Sequence, residues 1–340
     1  MDFSEFKKKY SKVPVVEHPN NREGKVPLVT VKVVTYNHVN YIKQCLDSIL
    51  IQKTNFDYEI LIAEDDSNDG TREICIKYAK KHPDKIRLLL NSRENNIIIN
   101  GKPSGTFNSV YANFCIHSKY IAFIEGDDYW TDETSLQKRV DFLENNPDHV
   151  LCFHNAKLFY EDTKEFDKKL KSSFDKSQTL EKNSFKNVTS ATLTYVYRNF
   201  LVDIFDKEML NIISGDTILI AKLENFGKIR YIHEIKPGVY RIHNKGIHSS
   251  LNYNSQKLAR ITALIYIYEY YQKKGWHIDL LHENLFNLYI NKIVNHAQIL
   301  KKFRIKDLIK VCKHFYACNQ KFYAVKIFTK NLRISLKQNK

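Results

Sequence analysis

Residues 125–128 read Glu-Gly-Asp-Asp, three carboxylates around one glycine, directly after an apolar run at 120–124. A second acidic group, Glu64, Asp65 and Asp66, follows a second apolar run at 58–63. Gathered carboxylates bind hard divalent cations such as Mn2+ or Mg2+, and beside phosphate such a cation neutralises and orients a charged leaving group. Acids with glycine also mark turns, and Ser-Asn-Asp-Gly-Thr at 67–71 suits a turn and helix cap, which makes Asp69 mainly structural. Neither GxGxxG nor GxxxxGK[ST] follows the apolar runs, so a phosphate-bearing ligand has no glycine cradle here.

The elements that deliver these acids repeat. Residues 28–37 are dense in β-branched side chains and read as a strand, and Ile42, Cys45, Leu46, Ile49 and Leu50 then recur at helical spacing. A strand at 58–63, a helix over 71–81 ended by Pro83 and a strand at 86–90 repeat the alternation, which predicts a parallel sheet wound by right-handed crossovers. Open sheets of this kind bind ligands outside the carboxyl ends of their strands, so both acidic groups are expected at one edge.

Around that frame, residues 1–27 read as an arm, with Pro14, Pro19 and Pro27 breaking any long helix. The charged stretch past Tyr160 reads as a long excursion or flexible loop. A strand-like pattern returns at 190–200, followed by a short helix near 206–213 and another at 217–224. From Leu258 onward a helical face recurs, with further helices expected over 280–300 and 305–335.

Composition narrows the classes. With 340 residues, 43% of them hydrophobic, the chain can bury a real core. No apolar segment approaches the roughly 18–20 residues of a membrane span, and the first residues lack a secretory apolar region, so the expected compartment is the cytoplasm. Six cysteines without CxxC spacing argue against zinc or a disulfide framework. Net charge is +15, and residues 301–340 hold twelve Lys and Arg against one acid, Asp307. That tail reads as a solvated helical face or as a contact with the anionic inner face of a membrane, with nucleic acid not expected.

Three stretches, VTVKVVTYNHVNYIKQCLDSIL, EILIAEDDSNDGT and YIAFIEGDDYW, resemble in this order the family 2 glycosyltransferases of bacterial surface-polysaccharide type. The resemblance covers roughly residues 28–250 and implies an α/β GT-A fold: a Rossmann-like, mostly parallel sheet flanked by helices. The domains expected are an arm at 1–27, a catalytic domain at 28–250 and a basic helical C-terminal region at 251–340. Two positions depart from the family pattern. Asp66 stands where glycine is common, and Glu125 replaces the first aspartate of the DxD-like metal motif.

The resemblance implies a metal-dependent, inverting hexosyltransferase that takes its sugar from a nucleoside diphosphate sugar, with uridine the favoured base. The acceptor would be a glycan, lipid-linked in one version, in polysaccharide, lipopolysaccharide or capsule synthesis. By resemblance Asp65 reads the base; Thr35 and Tyr36, after the first strand, either frame it or simply pack, and Arg93 and Asn108, in the polar segment between the third strand and the metal-bearing one, either reach the nucleotide or belong to a solvated loop. Asp127 ligates Mn2+ or Mg2+ and contacts the nucleotide, with Glu125 and Asp128 in support. His243 or His248, beside Arg241, serves as a further metal ligand or diphosphate contact, with His243 preferred. Asp216 is the general base, although the same residue would equally cap a helix at 217–224, and Trp130 packs beneath the acceptor or in the core. Two other classes fit the acids: a nucleotidyltransferase acting on sugar phosphates, and a catalytically silent sugar-nucleotide binding module.

Overall fold

The computed structural model describes residues 1–246, apart from 100, 182–187, 189–190, 201–205, 213–214 and 245, together with scattered positions between 259 and 275. The chain divides into two compact units, Met1–Gly246 and Ile247–Lys340. The helices expected at 280–300 and 305–335, and His248, lie outside the described residues.

The first unit opens with helix α1 (Phe3–Tyr10) and a short strand β1 (Val16–Glu17), then alternates β2 (Val29–Thr35), α2 (Ile42–Leu50), β3 (Tyr58–Glu64), α3 (Thr71–Lys81) and β4 (Ile86–Leu90). A small hairpin, β5 (Ile98–Ile99) and β6 (Lys102–Pro103), leads to α4 (Thr106–Phe114), β7 (Tyr120–Glu125) and α5 (Ser135–Asn145). Then come β8 (His149–Phe153), β9 (Ala156–Tyr160), β10 (Glu165–Leu170), β11 (Gln178–Leu180), β12 (Val196–Arg198), α6 (Gly215–Leu223), β13 (Lys228–Tyr231) and β14 (Gly238–Ile242).

Nine of these strands form one sheet in the order β1-β4-β3-β2-β7-β12-β8-β13-β11. Its centre, β4-β3-β2-β7, is parallel throughout. Strand β12 reverses against β7 and β8, and β13 returns to the parallel sense beside β8. Val29, Val31 and Val33 of β2 share one buried cluster with Ile42, Leu46 and Ile49 of α2 and with Ile60 and Ile62 of β3. Helices cover the central strands on both faces, so nearly every residue of β2 and β3 is buried, Thr30 and Lys32 included.

Register places the site. Thr35 lies opposite Glu64, and Val34 opposite Glu125, so β2, β3 and β7 end together at one edge. A second, three-stranded sheet, β10-β9-β14, brings the end of β14 to the same edge, where Tyr129 and Val239 form an antiparallel bridge.

Several local expectations change. The stretch past Tyr160 holds two strands rather than an unbroken loop, because β10 pairs with β9 and β11 with β13. Strand β10 is an exposed edge rich in charge, which hides its periodicity. The helix expected near 206–213 is a five-residue 3-10 turn, Lys207–Asn211, capped by Asp206. The arm is ordered at α1, whose Phe6 is fully buried against Phe107 and Phe114.

Candidate active site

Two loops after β2 and β3 are pinned to one another. Asn37 N–H donates to Ser67 Oγ at 2.9 Å, Asn68 N–H to Asn37 Oδ1 at 3.1 Å, and Val39 N–H to Asp69 Oδ2 at 3.2 Å. Asp69 also accepts from Thr71 N–H at 3.0 Å and Thr71 Oγ1 at 2.6 Å, holding the start of α3. Asp66 has φ +63°, the left-handed region that glycine enters most cheaply, and Asp is one of the few other residues to visit it. The residue that departs from the family pattern thus keeps the backbone a glycine would adopt.

Asp65 is only 2% exposed. Its Oδ2 accepts from Arg93 Nη1 at 2.7 Å and Asn96 Nδ2 at 3.1 Å, while its buried Oδ1 has no hydrogen-bond partner among the described residues. Burial pushes its carboxyl up to about 6 against the pull of Arg93 and Asn96. The Arg93 guanidinium lies 3.8 Å from the centre of the Tyr36 ring, a cation–π stack that sets both side chains beside Asp65. Asn108 is committed elsewhere: it donates to Ala63 O at 2.8 Å and accepts from Asn91, tying the end of β3 to α4.

The second acidic loop leaves β7 through Gly126. A Cβ there would stand 2.6 Å from Thr35 Oγ1 and 3.0 Å from Ile42 Cδ1, so the bare backbone lets the loop close against β2 and α2. Asp127 Oδ2 meets His243 Nε2 at 2.9 Å and His38 Nε2 at 3.6 Å. Burial disfavours the Asp127 carboxylate, but the facing His38 and His243 outweigh it and leave its pKa lowered. Arg241 clamps this loop: its backbone N–H donates to Asp128 Oδ1 at 2.9 Å, and its guanidinium donates to Asp127 O at 2.5 Å and to Gln44, and pairs with Glu161 at 2.9 Å. Asp128 is buried, and burial, reinforced by Asp127 and Glu125, pushes its pKa well up.

Glu125 Oε2 accepts from Thr192 Oγ1 at 2.7 Å. Burial, with Asp127 next, raises its carboxyl to about 7, and the charge of Asp216 adds to the shift. Asp216 therefore stands in electrostatic reach of the acidic loop. It lies in the first turn of α6, exposed, and not at the cap position. Lys171 faces Asp128, Asp216 and Glu125 from just beyond β10. Trp130 is a core residue: it packs in the central cluster and donates its indole N–H to Leu193 O at 2.7 Å.

His38, Gln44 and Glu161 escaped the sequence reading. The available signal for His38 was its place in Tyr-Asn-His, at the end of a strand that shares an edge with Asp127. Three donor atoms, one each from His38, Asp127 and His243, lie within 4.8 Å of one another. Metal–ligand bonds of about 2.0–2.2 Å put two ligands of one ion roughly 3–4 Å apart, so this donor set fits a divalent cation.

A model of the family described as "Glycosyl transferase family 2" matches residues 30–207, just over half of the 340-residue chain. The chain belongs to glycosyltransferase family 2. Among relatives of this transferase, "Uncharacterized protein Rv1520" of Mycobacterium tuberculosis is 37% identical over 134 residues, 38% of this chain and 35% of that one. The "Minor teichoic acid biosynthesis protein GgaA" of Bacillus subtilis is 29% identical over 143 residues, 42% of this chain and 30% of the relative. The transferase thus spans about a third of the length of such curated relatives. In structure it is similar to S. aureus TarS 1-349 in complex with UDP, with TM-score 0.58, 15% identity and 92% of each chain covered. That likeness shows the fold, the GT-A arrangement expected from the three motifs. Among the described residues no helix is long and apolar enough to cross a membrane.

Proposed function

We propose that this family 2 transferase moves a sugar from a UDP-sugar to a glycan acceptor in bacterial surface-polysaccharide synthesis, with inversion and with a divalent metal held by Asp127 and His243. The catalytic domain is assigned to residues 28–250. The carrying observation is that Asp65, at the end of β3, and Asp127, after β7, flank β2 at one sheet edge. A buried, unpartnered Asp65 Oδ1 suits a base N–H, because an unmet buried acceptor costs about 1–3 kcal/mol. The teichoic acid protein among the relatives and UDP in the TarS complex support the acceptor class and the base.

When bound, the metal supplies positive charge that steadies the departing diphosphate. Tyr36 and Arg93 hold the base beside Asp65, and Arg241 keeps Asp127 and Asp128 in place. Asp216 accepts the proton of the acceptor hydroxyl as its oxygen bonds to the anomeric carbon and the bond to the diphosphate breaks, releasing the nucleoside diphosphate.

The test is nucleoside diphosphate release from UDP-, GDP- and dTDP-sugars, with Mn2+, Mg2+ or chelator, and with membrane extract as acceptor. One UDP-sugar should react only with metal, and Asp127→Ala should lower release by about 100-fold or more. Asp216→Asn should keep donor binding and lose about 100- to 10,000-fold in transfer. Pyrophosphate release from a nucleoside triphosphate would point to a nucleotidyltransferase. Donor binding with no release in any combination would point to a silent binding module.

A further inference from the structure

We infer that His38 is a third protein ligand of the metal, so that two imidazoles and one carboxylate hold the ion and the site selects Mn2+ over Mg2+. This rests on the metal-dependent reading above and adds a ligand, from the loop after β2, that the acidic motif does not contain.

The geometry points to His38 on three counts. Its Nε2 and that of His243 converge on the same oxygen, Asp127 Oδ2, at 3.6 and 2.9 Å, and the two rings meet edge to face with centroids 6.0 Å apart. The other ring nitrogen, Nδ1, lies 3.3 Å from Thr35 Oγ1. Metal-binding histidines are commonly held this way, one nitrogen fixed by a neighbouring polar group while the other faces the ion. Finally, His38 stands on a locked platform, because the backbone N–H groups of Asn37 and Val39, on either side, are bonded to Ser67 and Asp69. Such preorganisation suits a ligand, whose position must hold to within about half an ångström.

The competing explanation is that His38 merely forms an ion pair with Asp127, and the two explanations predict opposite effects. A ligand, once removed, weakens the metal. An ion-pair partner, once removed, frees Asp127 and strengthens it. Metal choice follows from donor chemistry: Mg2+ keeps oxygen ligands and water, whereas imidazole nitrogen suits later and softer divalent ions, and Mn2+ tolerates both.

The experiment titrates the full chain with MnCl2 alone, following free Mn2+ by electron paramagnetic resonance, and with MgCl2 in competition. Thermal unfolding in chelator checks that each variant folds. His38→Ala should raise the Mn2+ dissociation constant at least tenfold. His38→Asp, with oxygen in place of nitrogen, should recover affinity and narrow the preference for Mn2+ over Mg2+. Electron spin-echo modulation of the wild-type protein should show two directly bound imidazole nitrogens, a readout that needs no variant to fold. Unchanged or tighter Mn2+ binding in His38→Ala, or a single bound imidazole in the wild type, would overturn the inference alone. No Mn2+ binding by the wild type would overturn the metal-dependent reading with it.

Discussion

At Asp65 the sequence supplies the carboxylate and the fold supplies its unusual setting. Burial raises the group to about 6 from an ordinary value of 3.8, so between these limits the native state holds more protons than the unfolded one. Its contribution to stability is present below about pH 4 and fades as pH rises through about 6. Ligand binding runs the other way if the ionised Oδ1 receives the base. The affinity for uridine, whose base does not titrate between about pH 5 and 8, should fall as pH drops through about 6. Asp65→Asn should bind about tenfold more weakly at pH 7.5 and show no such step, the loss being that of one charge-assisted hydrogen bond. A nuclear magnetic resonance titration of uridine at several pH values checks this, and an unchanged step in the variant would remove Asp65 from the base pocket. The neighbouring Asp66 shows a different legibility: its departure from the family glycine was visible in the sequence, and the φ of +63° explains why the position favours glycine.

Strand β2 presents Val29, Val31 and Val33 to one face and Thr30 and Lys32 to the other, where Lys32 Nζ donates to Asn113 Oδ1 at 2.7 Å and Ser109 Oγ at 3.2 Å on α4. Lys32 is 4% exposed, and burial lowers its ammonium to about 7, with Glu125 opposing. From about pH 7 to 10.5 the unfolded chain therefore binds the additional proton, and stability rises with pH across that window, on the order of 1 kcal/mol per unit. Lys32→Met should flatten this slope and be the more stable protein at pH 7, as urea unfolding at several pH values will show. An identical slope in both proteins would mean that Lys32 keeps its charge at no cost. At this scale the alternation of strand and helix from β2 to β4 was legible because each of these three strands is buried on both faces. Strand β10 was not, because an exposed, charged edge strand owes its conformation to its partner β9.

Across the whole first unit, the arm at residues 1–27 belongs to the structure it precedes. Phe6 is fully buried, with ring centroids 5.4 Å from both Phe107 and Phe114, and β1 extends the nine-stranded sheet beside β4. Arg22 Nη2 pairs with Asp57 at 2.8 Å and reaches Asp84 O at 3.0 Å through Nη1, fastening the end of the arm near the starts of β3 and β4. Phe6→Ala should therefore cost about 3–5 kcal/mol, the usual loss for emptying a buried aromatic site. Urea unfolding measures this, and a midpoint within error of the wild type would show that the arm lies outside the cooperative unit.

By itself the sequence determined the order of strands and helices at the core, the acidic loops that follow β3 and β7, and the family to which those loops belong. These are properties of local period and contiguous motif, and both survive in a linear string. Only the tertiary structure decided that His38 faces Asp127 beside His243, that Arg241 is spent on clamping the acidic loop, and that Trp130 belongs to the core. Each depends on the register of β2 against β7 and on the return of β14 to the same edge. Residues about 90 positions apart meet there because β2 and β7 pair in parallel and end together, those about 120 apart because the antiparallel Tyr129–Val239 bridge sets β14 beside the acidic loop, and no local pattern encodes either distance.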